Sequence, residues 1–280
     1  MTESPLLEAL ECFSYPFVWR ALAVAVSISL CSALLGVTLV LRRFSLIGDG
    51  LSHVAFGALA VAAVAGLSSP FPAVLAITVA AAIALLAAGD RLKIKGDAAT
   101  AMISTTALAA GYLLLNIFKA SSNVSGDVCT TLFGSTTILT LGSGDVWLAI
   151  GLSLCVVLWF IFCGRTIFAI SFDEDFARTR GLNVNAFNLL SAAAVGVVIV
   201  LAMKLAGALL VSALIVFPAV SAMRIARGFS GVLVCASLIS AVCAASGVCI
   251  SVIASTPAGP STVCVEAAVC FTILALSRRK

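Results

Sequence analysis

Apolar runs about as long as a bilayer is thick follow one another along this chain. A spanning helix needs roughly 20 mostly apolar residues. Nine such stretches stand out, at about 18–41, 48–66, 71–88, 98–118, 144–163, 186–204, 207–223, 229–252 and 260–277. The junctions near 204–207 and 127–143 are ambiguous, so a total of eight to ten fits the same pattern. None of the runs shows the alternation of a membrane barrel strand. The pattern predicts an all-α polytopic membrane protein forming a single transmembrane domain over residues 1–280. Its connections are short, which argues against a separate catalytic domain.

Composition supports this: 62% of residues are hydrophobic and 10% charged, with a mean hydropathy of +1.23. The basic residues then set an orientation. In a nine-span layout Arg42, Arg43, Arg91, Lys93, Lys95, Arg165, Arg178, Arg180, Arg224, Arg227, Arg278, Arg279 and Lys280 share one side. Only Arg20, Lys119 and Lys204 fall on the other. This predicts a cytoplasmic C-terminus and an external N-terminus. The net charge of +4 belongs to these loops and gives no case for nucleic acid. Glu3, Glu8 and Glu11 stand where a cleavable signal has basic residues, so the first span is expected to direct its own insertion. Most of the ten cysteines lie inside spans, no Cys-x-x-Cys occurs, and no disulfide is expected.

Small residues are frequent, and Gly57, Gly66, Gly196, Gly207 and Gly247 are candidate points of close helix approach. Gly-Asp recurs at 48–49, 89–90, 96–97, 126–127 and 144–145, each near a span boundary, where turn or cap chemistry accounts for it. Residues 119–143 are too polar and too short to span. They read equally as a re-entrant helix or as a surface loop.

Four features carry chemistry. Asp49 and His53, the only histidine, are four residues apart and share one face of a helix. A carboxylate and an imidazole are ligands for zinc, and also for manganese or iron. Two readings compete with that one: Asp49 as a helix cap, and His53 as a core histidine bonded to a neighbouring helix. The second feature is the loop 171–182, Ser-Phe-Asp-Glu-Asp-Phe-Ala-Arg-Thr-Arg-Gly-Leu. Ser171 is placed to cap a short helix, with Asp173, Glu174 and Asp175 in its first turn, Arg178 and Arg180 in its last, and Gly181 as the stop. Phe172 and Phe176 would share a face. A solvated loop helix and a docking element for a partner both fit. The third is the turn Pro257–Thr262, predicted to start the last span at about Pro260. The fourth is Glu266, which lies inside a span. At about 2.5–3.5 kcal/mol for an acid at the bilayer centre, it must face protein or water. Lys204, near a helix end, can snorkel.

Taken together, Arg42-Arg43-Phe44-Ser45-Leu46-Ile47-Gly48-Asp49-Gly50-Leu51-Ser52-His53, the 171–182 loop, Met203–Leu210, Pro218-Ala219 and Thr256-Pro257-Ala258-Gly259-Pro260-Ser261 resemble one family. It is the permease subunit of bacterial ABC importers for zinc, manganese and iron, and the resemblance runs from about Arg20 to Arg279. The resemblance implies a protein of the cytoplasmic membrane that pairs with a second permease copy or a paralogue. It also implies a separate cytoplasmic ATPase and an extracytoplasmic metal-binding protein. Asp49 and His53 match the family's Asp-x-x-x-His motif on the metal path. Residues 171–182 resemble the coupling helix on which the ATPase docks, with Phe172, Asp173, Glu174, Asp175, Phe176, Arg178 and Gly181 as its contact residues. Glu266 is outside the family pattern. No cofactor is expected to stay bound: zinc is the favoured cargo, with manganese and iron open, and ATP belongs to the partner. The chain has no Gly-x-x-x-x-Gly-Lys-Ser/Thr phosphate loop, so it is not expected to hydrolyse ATP or to be an enzyme. A gradient-driven cation carrier is the main rival. An intramembrane metalloprotease needs more ligands than one histidine provides.

Overall fold

The computed structural model describes residues 15–67, 69–92, 96–118 and 142–277. The regular structure of these residues is entirely helical: α1 (Pro16–Leu41), α2 (Ile47–Val64), α3 (Phe71–Leu92), α4 (Gly96–Ile117), α5 (Ser143–Phe172), α6 (Glu174–Thr179), α7 (Val184–Ala206), α8 (Ala208–Ile225), α9 (Phe229–Ala254) and α10 (Ala258–Ser277). Each of the nine apolar runs coincides with one helix, and α6 is the short extra. Among the described residues seven helices are long and apolar enough to cross a membrane, while the apolar parts of α3 and α8 are shorter, at 71–86 and 210–225. The chain is an all-helical, polytopic membrane protein. Residues 119–141 and the basic residues Lys93, Lys95, Lys119 and Arg278–Lys280 lie outside the described residues, as do Glu3, Glu8, Glu11 and Gly126-Asp127.

The chain divides into two compact units, to both of which α1, α5 and α7 contribute residues. Among the described residues the first comprises 15–37, 142–158 and 202–277. Here α10 packs against α8 and α9. A Cβ on Gly247 of α9 would collide with Thr262 of α10, so the two backbones meet at that glycine. Ser240 of α9 donates to the Ser29 carbonyl of α1 at 3.1 Å, satisfying a hydroxyl in the apolar interior. The turn before α10 is tied by the Thr256 and Ser261 hydroxyls, 2.8 Å apart, and the helix starts at Ala258, two residues earlier than Pro260.

The second unit comprises, among the described residues, 38–67, 69–92, 96–118 and 159–201. Its centre is α2, which packs on α4 and α3. The α2–α4 approach depends on missing side chains. A Cβ on Gly50 would overlap the Thr100 methyl, and one on Gly57 would stand 2.9 Å from the Ala107 carbonyl oxygen. Gly196 of α7 meets Val79 of α3 in the same way, at 3.0 Å. Gly66 has no neighbour among the described residues that an added Cβ would meet. It ends α2 in the left-handed region, φ +65, with Leu67 N–H donating back to Ala62 O at 3.1 Å.

Candidate metal site and docking helix

α2 begins without a cap of its own: Leu46, at the N-cap, has no side chain able to accept a backbone bond. Asp97 of α4 supplies it instead. Its carboxylate accepts from Leu46 N–H at 3.1 Å and from the Ser45 hydroxyl at 3.1 Å. The Gly-Asp pair at 96–97 therefore caps a neighbouring helix. Asp145 behaves more locally, accepting from Gly142 N–H at 3.2 Å at the start of α5.

Because Asp97 fills the cap, Asp49 does not. It sits in the first turn of α2, where the helix dipole favours a carboxylate. Its side chain is 60% exposed, and one oxygen lies 3.6 Å from His53 Nε2, as the i, i+4 spacing requires. His53 is half-buried. Its Nδ1 is buried and has no hydrogen-bond partner among the described residues, so the structure does not tie it to a neighbouring helix there. Both residues line a recess of about 190 Å³ with Leu46, Gly50 and, from α4, Thr100, Ala101, Ser104, Thr105 and Leu108. The Thr100 and Thr105 hydroxyls donate to carbonyls of their own helix at 2.8 and 2.9 Å, which leaves their oxygens free to accept. The recess thus gathers one carboxylate, one imidazole and several neutral oxygens. No cluster of three His, Cys, Asp or Glu occurs among the described residues, so one chain offers a cation an incomplete shell there.

The 171–182 loop differs in detail from its sequence reading. α5 runs through Phe172, so Ser171 is helical and the cap is Asp173, whose Oδ1 accepts from Phe176 N–H at 2.9 Å. Phe172 therefore ends α5 while Phe176 belongs to α6. The two rings do not form one helical face. Phe172 packs on Phe168, with centroids 4.7 Å apart, and Arg180 lies 5.8 Å from the Phe176 ring centre. Both phenylalanines are exposed. Gly181 is the stop, as expected, at φ +77, with Leu182 N–H donating to Ala177 O at 3.2 Å. α6 is seated by Ala177, which is buried with Ile170 and Val184.

The three acids of this loop have separate fates. Asp173 caps, Asp175 points to solvent, and Glu174 turns inward. Glu174 pairs with Arg42, accepts from the Asn188 amide at 3.0 Å and lies 3.7 Å from Arg178. Arg42 in turn donates to Asn188 Oδ1 at 3.0 Å. Sequence reasoning missed this cluster because its members are scattered through the chain. Glu266 lies in the first unit, in the same helix as the Thr262 contact. It is 2% exposed, and neither carboxyl oxygen has a hydrogen-bond partner among the described residues.

Residues 14–277 match the ABC 3 transport family. The chain belongs to that family. It is 28% identical over 257 residues to the manganese transport system membrane protein MntC of Listeria monocytogenes, covering 92% of this chain and 89% of that one. Against the high-affinity zinc uptake system membrane protein ZnuB of Haemophilus influenzae it is 27% identical over 250 residues, covering 89% and 93%. Among solved structures, PsaBC from Streptococcus pneumoniae in complex with Fab superposes with a TM-score of 0.80 at 26% identity, covering 96% of this chain and 95% of that one. The family recognised in the sequence is thereby borne out, and both of these relatives are named as membrane proteins of metal transport or uptake systems.

Proposed function

We propose that this chain is the membrane permease subunit of an importer that carries a divalent transition metal, zinc in the first place, into the cytoplasm past Asp49 and His53. The observation that carries this is the recess between α2 and α4, where the carboxylate and the imidazole sit 3.6 Å apart. A carrier has to release its cargo, and two ligands hold an ion only transiently. Two copies of the chain, or one and a paralogue, bring two carboxylates and two imidazoles to a shared axis, enough for a tetrahedral shell. A mixed nitrogen and oxygen set binds zinc more tightly than manganese. Manganese is the second reading, because relatives matched over most of the chain are named for manganese as well as for zinc.

Energy comes from a separate ATPase that docks on α6. Phe172, Phe176, Asp173, Asp175, Arg178 and Gly181 form or shape that surface, and an extracytoplasmic binding protein delivers the metal. We place the protein in the bacterial cytoplasmic membrane as a single permease domain, C-terminus inside and N-terminus outside, from the bias of its basic loops. Glu266 is kept as an intramembrane candidate.

The test is the zinc, manganese and iron content of cells that rely on this transporter, wild type against His53→Ala at equal expression. Loss of one metal names the cargo and puts His53 on its route. Unchanged contents would take the route away from His53.

A further inference from the structure

The five residues between the end of α1 and the start of α2 are held from both sides. On one side Arg42 is joined to Glu174 of α6 and Asn188 of α7, and the side chains of Arg42 and Glu174 are only 15% and 20% exposed. On the other, Asp97 of α4 holds Ser45 and Leu46, the residues that open α2. Between these anchors Phe44 is buried, with its ring against Gly96. Arg43 stands in the left-handed region at φ +61, a conformation that L residues other than Asn and Asp rarely adopt. It occupies the position where helices usually end in glycine, with Phe44 N–H donating to Leu39 O at 2.9 Å. Such strain persists only where the surroundings fix the backbone, and here the fixing contacts lie on either side of it.

We propose that Arg42 is a positioning residue that ties α6 to the Asp49–His53 turn, so that a displacement of α6 is passed to the recess through residues 42–46. This rests on reading α6 as the ATPase contact. The physical case is the stiffness of the connection. The guanidinium makes a two-armed contact to a carboxylate and an amide that are themselves bonded, with little access to water. Moving Glu174 without Arg42 takes the carboxylate away from a guanidinium that is only 15% exposed, so the two move together. Arg42 is covalently seven residues from Asp49, and Asp97 brings α4, the other wall of the recess, into the same corner. An exposed acid on α6 has no such route inward. Glu174 therefore acts through the fold, while Asp173 and Asp175 act at the surface or on the helix itself.

The experiment uses this chain with its ATPase and metal-loaded binding protein in proteoliposomes. Arg42→Gln, Glu174→Gln and the double variant are compared for two quantities: ATPase that co-purifies, and stimulation of ATP hydrolysis by the binding protein over the basal rate. Each single variant is expected to retain the ATPase and its basal rate and to lose stimulation by roughly tenfold, the scale of a coupling free energy. The double variant is expected to lose no more than either single, because both remove one connection. Arg42→Lys keeps the buried carboxylate paired but loses the two-armed contact, and should fall between wild type and Arg42→Gln. Full stimulation in the single variants, or losses that add in the double, would overturn the proposal. Loss of co-purification in Glu174→Gln would also overturn it, by making Glu174 part of the docking surface. The reading of α6 fails separately: Phe176→Ala would then hold the ATPase as well as wild type does.

Discussion

Asp97 accepts the backbone N–H of Leu46 at 3.1 Å, so the cap of α2 is supplied by α4. Two residues of the same Gly-Asp type are thereby given different tasks. Asp97 holds the helix end, and Asp49, in the first turn of α2, is left beside His53 at the recess. Asp97→Ala removes the cap and is expected to cost about 1 kcal/mol of stability. Uptake should fall further than that loss explains, since the start of α2 sets the position of Asp49. Thermal unfolding in detergent, alongside uptake at equal expression, checks both. Asp97→Asn keeps an acceptor and should retain most of each.

The recess also depends on how closely α2 and α4 approach. At Gly57 the added methyl of alanine meets the Ala107 carbonyl at 2.9 Å, which is backbone and cannot swing aside. Gly57→Ala is expected to destabilise the protein by about 1–3 kcal/mol despite alanine's better helix propensity. A melting temperature equal to or above wild type would show that the helices separate without penalty.

Two backbone positions should respond with opposite sign. Gly181, at φ +77, ends α6, and Gly181→Ala forces a side chain into the left-handed region at a cost of roughly 1–2 kcal/mol. Loosening of α6 should appear as weaker ATPase co-purification. Arg43 already bears that cost at φ +61, so Arg43→Gly is expected to be neutral or to gain up to about 1 kcal/mol. Chemical denaturation of the two variants side by side reads the contrast.

Glu266 supplies a fourth prediction. Its two carboxyl oxygens are buried without a hydrogen-bond partner among the described residues, a burden of about 1–3 kcal/mol. Glu266→Met has similar volume and no polar oxygen, and is expected to be more stable than wild type. If the burden is kept for transport, uptake by this more stable variant falls. Wild-type uptake by a stabilised Glu266→Met would make Glu266 a packing residue.

The spans were legible in the sequence because a bilayer imposes length and hydropathy on each helix independently of its neighbours. The Asp49–His53 pair was legible for a related reason: i, i+4 spacing is a local property of one helix. Gly181 as the stop of α6 follows from backbone sterics, which is again a local property. Contacts between distant segments were not legible. Nothing near Arg42 in the chain signals Glu174, 132 residues away, nor does Leu46 signal a cap 51 residues later. By residue type Asp173 caps a helix as readily as Ser171, the cap expected from the sequence. The choice between them was set by how far α5 extends, which the apolar pattern does not mark because Phe172 is itself apolar.

The proposed passage of metal past Asp49 and His53, driven by a partner ATPase, is read most plainly from zinc and manganese accumulation in proteoliposomes containing this chain and its ATPase, with ATP trapped inside and loaded binding protein outside. The wild-type complex should accumulate one of the two metals only when ATP is present, and His53→Ala should lose that accumulation by at least about tenfold. Accumulation that needs no ATP would remove the ATPase drive, and full accumulation by His53→Ala would remove His53 from the metal route.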